Sequence, residues 1–231
     1  MEKTVDDLKV IIFGASGMVG AGVLNECLKD PQVSAVLSVG RKPCGMTHPR
    51  LKELVVPDLF NLELFQEKLK GYNTCLFTLG ASAAGLNEAA YTKINHDLPV
   101  QIAELLLKLN PDLGICYVSG MSTDSTEKGP VMWARVKGRT ENDLLKMPFR
   151  VAVMIRLAGL QPLKGFKSST TLYRVFYSLF GPLLPLMVLL FPTWVTTPER
   201  LGRAMIRAAR GQSPKSLLEA KDIHELGSAA G

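Results

Sequence analysis

Gly14, Gly17 and Gly20 recur every third residue in Val10-Ile-Ile-Phe-Gly-Ala-Ser-Gly-Met-Val-Gly-Ala-Gly22, directly after a short apolar run. An apolar strand, a tight turn and an amphipathic helix in that order make a phosphate cradle. Gly14 lets the backbone turn, Gly17 removes a side chain where a pyrophosphate must approach, and Gly20 lets the helix pack against its strand. Free N–H groups and partial positive charge at the helix N-terminus then face the phosphates. The expected dinucleotide-binding residues are therefore Gly14, Ala15, Ser16, Gly17, Met18 and Gly20; a plain strand-to-helix turn is the simpler alternative. The second apolar run ends in Gly40-Arg41-Lys42, where an acidic residue often holds the ribose 2′-OH of NAD. Arg41 instead suits the 2′-phosphate of NADP, with Lys42 and Ser16 as helpers, and makes NAD the less favoured cofactor. A solvated Arg-Lys pair on a loop is the competing reading. Asp58 is expected near the adenine, or equally as a turn residue after Pro57. Leu79 and Gly80, with Ala81, fall at the end of another apolar run and are expected beside the adenine ribose. Further along, Trp133 and Lys137 share one helix face at i and i+4, and Ser119 follows an apolar run.

The elements that must position these residues alternate. Strands are predicted over Lys9–Phe13, Val33–Val39, Leu54–Val56, Thr74–Leu79, Gly114–Val118 and Val151–Leu157. Between them, Met18–Lys29, Asn61–Lys70, Asn87–Asn110 and Pro130–Lys146 have helical composition. Pro99 kinks or divides the third of these helices, and Pro130 is expected to open the fourth, where its missing N–H costs nothing. Repeated strand–helix–strand units of this length predict an α/β fold: a Rossmann-like, doubly wound sheet of about six parallel strands. Its ligands belong at the carboxyl ends of the strands.

Taken together, the glycine loop, Tyr117-Val-Ser-Gly120, Trp133-x-x-x-Lys137-Gly138 and Leu157-Ala-Gly159 resemble the atypical short-chain dehydrogenase/reductase superfamily. The run Leu217-Leu-Glu-Ala-Lys-Asp-Ile-His224-Glu-Leu-Gly227 is similar to the end of its Tat-interacting-protein-like, NAD-dependent-epimerase branch. The resemblance covers nearly the whole chain and implies an oxidoreductase or epimerase-like enzyme. In that superfamily a Lys holds the nicotinamide ribose and lowers the pKa of a Tyr four residues earlier. The Tyr moves a proton to or from the substrate oxygen, and a Ser hydrogen-bonds that oxygen. Lys137 and Ser119 match. The tyrosine position holds Trp133, whose indole N–H donates but does not titrate near neutral pH. Trp133 therefore reads as an apolar wall of the pocket, and Tyr117, Tyr91, His96 and Asp124 stand as alternative proton carriers. A second function class follows from the same residue: an NADP-binding scaffold or sensor that recognises a protein or membrane partner.

Composition bounds the remainder. A chain of 231 residues that is 47% hydrophobic fits one domain with a sizeable core, expected over 1–231 with 163–231 as an apolar cap. The four cysteines, Cys27, Cys44, Cys75 and Cys116, have no framework spacing, so neither a disulfide set nor a metal site is expected. The acidic, polar first residues suit neither a secretory nor a transit peptide, and a cytoplasmic location is the expectation. A net charge of +6 suits an anionic cofactor or an acidic surface, but no basic block interleaves with aromatics, so nucleic acid is not an expected partner. No charged residue occurs from Val175 through Pro198. Gly181, Pro182, Pro185 and Pro192 break that window, which predicts a lid over the substrate pocket or a peripheral membrane or protein interface in preference to a membrane span. Thr197-Pro198-Glu199 opens a last helix, on which Arg200, Arg203, Arg207 and Arg210 are expected to form a solvated face.

Overall fold

The computed structural model describes residues 5–160 and 195–228. Its first strand, β1 (Leu8–Phe13), is buried at every position except Lys9. Its side chains alternate between two cores, as the two-residue strand period requires. Val10 and Ile12 join Val23, Leu24, Leu201 and Met205 on one face; Ile11 and Phe13 join Phe77, Ile102, Leu106 and Tyr117 on the other. A strand covered on both faces reads as a continuous apolar run, which is why no polar alternation marks it in the sequence.

The chain continues through α1 (Met18–Lys29), β2 (Val33–Gly40), β3 (Leu51–Val55), a 3₁₀ helix (Leu59–Leu69) and β4 (Thr74–Phe77). Next come α2 (Glu88–Thr92), a π-helical turn (Lys93–Asp97), α3 (Leu98–Leu109), β5 (Gly114–Gly120), α4 (Met132–Lys146), β6 (Val151–Leu157) and β7 (Gly159–Leu160). Beyond the undescribed stretch lie β8 (Val195–Thr196), α5 (Pro198–Ala209), β9 (Leu217–Leu218) and α6 (Ala220–Ser228). The main sheet has the order β3-β2-β1-β4-β5-β6-β9 and is parallel throughout; β7 and β8 form a separate pair. The strand order reverses between β1 and β4, so the crevice at their carboxyl ends is the topological switch point of the sheet.

Several boundaries differ from expectation for local reasons. The sheet has a seventh strand, β9, only two residues long, which pairs with Met154 and Ile155 of β6; so short a run has no periodicity to read. The segment after Pro57 is a 3₁₀ helix interrupted by non-helical backbone at Asn61 and Phe65. The break in the third helical stretch lies at the π-helical turn, and Pro99 sits in the first turn of α3, where proline is tolerated. Helix α4 begins at Met132 with Val131 as its N-cap, so Pro130 precedes the helix and does not open it. The arginine face of α5 is only partly solvated: Arg203 is exposed, yet its side chain and those of Arg207 and Arg210 are tied to backbone carbonyls. Arg203 donates to Gly227 O and Arg207 to Leu226 O of α6, and Arg210 donates to Val5 O. These side chains cap the carbonyls that end α6 and tie the N-terminal segment down, a use for cations that their spacing alone does not show. Thr197 does cap α5, accepting from Arg200 N at 3.2 Å. Of the uncharged window, 175–194 lies outside the described residues.

Candidate functional site

At the switch point, β1 ends in Gly14, whose φ of +88° is a left-handed conformation that favours glycine. A Cβ there would also stand 2.8 Å from Leu79 N and from Thr78 Oγ1. Gly20 lies one turn into α1, directly against Gly14, and a Cβ on it would overlap the Gly14 carbonyl and come within 2.6 Å of Thr78 Oγ1. These two glycines therefore allow β1, β4 and α1 to converge. Gly17 is the N-cap of α1 and makes no side-chain cap bond, so the N–H groups of the first turn are left for a ligand. Ser16 and Gly17 are exposed, whereas Ala15 is buried and offers a ligand only its backbone; Met18 is half-buried against the core.

A cleft of about 690 Å³ opens over this turn, lined by Gly14, Ser16, Gly17, Gly40, Arg41, Lys42, Pro43, Thr78, Leu79 and Gly80. Arg41 and Lys42 are exposed at the end of β2, on the same cleft as the glycine loop. The size suits a nucleotide, the loop offers backbone donors, and the two cations suit further anionic charge. A dinucleotide fits these residues. Asp58 takes the turn role: its carboxylate accepts from Phe60 N at 3.0 Å and from Asn61 Nδ2 at 3.2 Å. Thr78, not anticipated from sequence, donates to Phe13 O at 2.6 Å and so fastens the end of β4 to β1 beside the turn. Its only signal in the sequence is that it follows the apolar run of β4.

A second cavity, of about 380 Å³, begins where the first ends. It is lined by Ala81, Ser82, Ala83, Ala84, Tyr91, Ser119, Gly120, Trp133 and Lys137. Strand β5 delivers Ser119 and Gly120, and α4 delivers Trp133 and Lys137 one turn apart. The Trp133 ring lies over Gly120, where a Cβ would stand 3.4 Å from its edge. Ser119 Oγ is 3.0 Å from Thr123 Oγ1, which donates in turn to Gly120 O at 2.7 Å. Lys137 Nζ donates to the Tyr117 hydroxyl at 2.9 Å and to Val118 O at 3.2 Å. Withdrawal from water pulls the Lys137 ammonium down to about 8, against an opposing pull from the charge of Glu141.

Tyr117 is completely buried. Its hydroxyl donates to Asn95 O at 3.2 Å, and burial raises its pKa above the ordinary tyrosine range. It is a strut beneath Lys137, deeper than Ser119 on the same strand. Asn95, in the π-helical turn, is the residue the sequence does not announce. Its backbone carbonyl accepts from both Tyr117 and Thr140 Oγ1, and its side-chain oxygen accepts from Ala81 N at 3.1 Å. A π-helical turn departs from the regular backbone ladder, and here it supplies one residue that ties α4, β5 and the loop after β4 together. His96 is buried and held through both ring nitrogens, by Asp97 at 2.8 Å and Asp143 at 3.0 Å. Asp124 organises its own loop, accepting from Thr126 Oγ1 at 2.6 Å and Gly129 N at 2.6 Å, and the Thr126 hydroxyl holds its pKa low. Neither His96 nor Asp124 lines the second cavity; Tyr91 does. Among the described residues no cluster of three or more His, Cys, Asp or Glu side chains is arranged to hold a metal ion.

The fold and its switch-point cleft define a Rossmann-like α/β protein. Solved structures agree. Helicobacter pylori ADP-L-glycero-D-manno-heptose-6-epimerase superposes with a TM-score of 0.65 at 13% identity, covering 95% of this chain and 78% of that one. Bordetella bronchiseptica WbmF, in complex with NAD+ and UDP, gives 0.67 at 14% identity, covering 94% and 72%. A short chain dehydrogenase family protein from Francisella tularensis gives 0.64 at 12% identity, covering 92% and 96%. No family model matches the chain. By sequence it is similar to Leucinostatins biosynthesis cluster protein T of Purpureocillium lilacinum, with 28% identity over 59% of this chain and 51% of that protein. It is also similar to the mitochondrial protein FMP52 of Saccharomyces cerevisiae, with 23% identity over 94% and 95%. The chain thus spans about half the length of the first of these relatives and nearly all of the second. The Tat-interacting-protein-like branch does not appear among these relatives. Among the described residues no helix is long and apolar enough to cross a membrane.

Proposed function

We propose that this protein is an NADP(H)-binding oxidoreductase or epimerase-like enzyme acting on a small, fairly apolar carbonyl or hydroxyl compound. One observation carries the reading: the glycine turn with Arg41 and the pocket with Ser119 and Lys137 abut, Gly80 lining the first and Ala81 the second. That layout lets phosphates rest on α1 and a nicotinamide reach the cavity that Lys137 lines. When bound, the cofactor supplies the hydride chemistry. Ser119 hydrogen-bonds the substrate oxygen once its hydroxyl turns from Thr123, and Trp133 forms an apolar wall that excludes water and favours substrates without charge. Arg41 favours NADP over NAD, and Leu79 and Gly80 flank the adenosine half. The solved neighbours that carry NAD+ support a nicotinamide dinucleotide in general; the preference for NADP rests on Arg41.

The competing reading is a scaffold or sensor that binds NADP and recognises a protein or membrane partner through 175–198. Trp133 is the observation that favours it, since it replaces a titrating group with one that does not titrate. Calorimetry with NADPH and NADH, followed by NADPH consumption across a panel of apolar aldehydes and ketones, tests both. Turnover that is abolished by Lys137→Ala overturns the scaffold; tight NADPH binding with no turnover on any member of the panel overturns the enzyme for that substrate class. The names of the FMP52 relatives favour a mitochondrial setting over the expected cytoplasmic one. Release of the membrane-bound fraction by alkaline carbonate distinguishes a peripheral protein from an integral one.

A further inference from the structure

We propose that Lys137 is itself the proton donor to the substrate oxygen, taking over the step for which Trp133 has no titrating group. The inference rests on the enzyme reading above and concerns how that site completes its reaction.

An ammonium carries three N–H groups. Two are committed within the fold, to the Tyr117 hydroxyl at 2.9 Å and to Val118 O at 3.2 Å. The third remains, and Lys137 lines the cavity with Ser119 and Trp133. The bond to Val118 O anchors Nζ to the strand that also carries Ser119, and both side chains line the same cavity. The cation is also steadied over the Tyr117 ring, 4.6 Å from its centroid.

The other titrating groups nearby are committed elsewhere. The Tyr117 proton points to Asn95 O, both nitrogens of His96 are engaged by carboxylates, and the Asp124 oxygens accept from their own loop. Tyr91 lines the same cavity from α2 and is the competing donor that substitution must separate from Lys137. Desolvation keeps the Lys137 ammonium easier to deprotonate than an exposed lysine yet still charged at neutral pH, which suits a general acid.

The step balances. The carbonyl carbon accepts a hydride from a reduced nicotinamide dinucleotide, which is oxidised; the carbon–oxygen π bond breaks, and the oxygen takes a proton from Lys137 Nζ. The neutral amine regains its proton from solvent at the mouth of the cavity. In the oxidising direction the neutral amine is the base.

The test uses the full chain. Trace acetylation across pH, read by peptide mass spectrometry, gives the protonation midpoint of Lys137 without reference to turnover. The expected midpoint is about 8. For reduction of an apolar ketone, kcat/KM should be flat below that midpoint and fall tenfold per pH unit above it; for alcohol oxidation it should rise through the same midpoint. Lys137→Arg keeps a cation in place but cannot release its proton, so NADPH binding by calorimetry should persist while turnover falls by about 10² to 10⁴.

A Lys137 midpoint near the ordinary lysine value overturns the proposal, as does a pH limb that departs from that midpoint. Full turnover in Lys137→Arg does the same, and if Tyr91→Phe then abolishes it, the proton belongs to Tyr91. Dinucleotide binding without reduction of any carbonyl overturns this proposal and leaves the cofactor site standing. Failure of the unmutated chain to bind either dinucleotide overturns the proposed function and this inference with it.

Discussion

The two ends of the cleft are built by different means. Around Gly14, Gly17 and Gly20 the site is made of backbone: glycines remove side chains so that β1, β4 and α1 meet closely, and the helix N-terminus supplies the donors. Around Ser119, Trp133 and Lys137 it is made of side chains held by a third party, because Lys137 stands on Tyr117, Tyr117 on Asn95, and Asn95 also holds Thr140 and Ala81. A backbone site fails when atoms are added; a side-chain site fails when a partner is removed. The two halves are therefore expected to respond differently to substitution.

The largest expected effect lies behind the side-chain half. Glu141 on α4 is fully buried and paired with Arg156 of β6 at 2.6 Å, and Arg156 also reaches Glu219 and Ser125. Arg156→Ala leaves Glu141 buried without its partner and should destabilise the fold by about 3 to 5 kcal/mol. Urea unfolding measures this, and a loss below about 1 kcal/mol would show that α4 is not held by the pair.

Gly20→Ala tests the backbone half. The added methyl has nowhere to go between the Gly14 carbonyl and Thr78, so a loss of about 1 to 3 kcal/mol is expected, together with weakened dinucleotide binding. Unchanged stability and affinity would mean that α1 can slide away from β1 at little cost.

Lys137→Met should separate stability from function. Because burial lowers the folded-state pKa of Lys137 to about 8 from its ordinary value, the charged form costs folding free energy below that pH. Between about 8 and the ordinary lysine pKa of about 10.4, the folded state gives up its proton while the unfolded state keeps it, so this group makes stability rise with pH. Methionine removes that cost. Near neutral pH the variant is expected to gain on the order of 1 to 3 kcal/mol while losing turnover. A variant less stable than the parent at every pH would show that the bonds to Tyr117 and Val118 O outweigh the desolvation.

Arg41→Ala is the mildest change, since Arg41 is exposed and the fold does not depend on it. A charge-assisted pair with a 2′-phosphate contributes roughly 1.5 to 3 kcal/mol, so the parent should prefer NADPH over NADH by at least about tenfold, and the variant should lose most of that preference with no change in unfolding midpoint. Equal calorimetric affinities in the parent would remove the assignment of NADP.

The sequence by itself determined the doubly wound α/β architecture and the position of the glycine turn, because strands buried on both faces appear as bare apolar runs and a close backbone approach appears as glycine. It also brought Trp133 and Lys137 to one helix face, since that spacing is local. The tertiary structure alone decided the rest. Asn95 gives no warning in sequence because its role depends on a π-helical turn meeting β5, α4 and the loop after β4 at once. Strand β9 is two residues long and exists only because Met154 and Ile155 offer it an edge. The arginines of α5 read as solvent-facing until α6 folds back and presents its terminal carbonyls to Arg203 and Arg207. Local patterns of size and polarity fix which residues are buried and where the backbone can turn, but the partner of a buried polar group or a cation is set by elements distant in the chain.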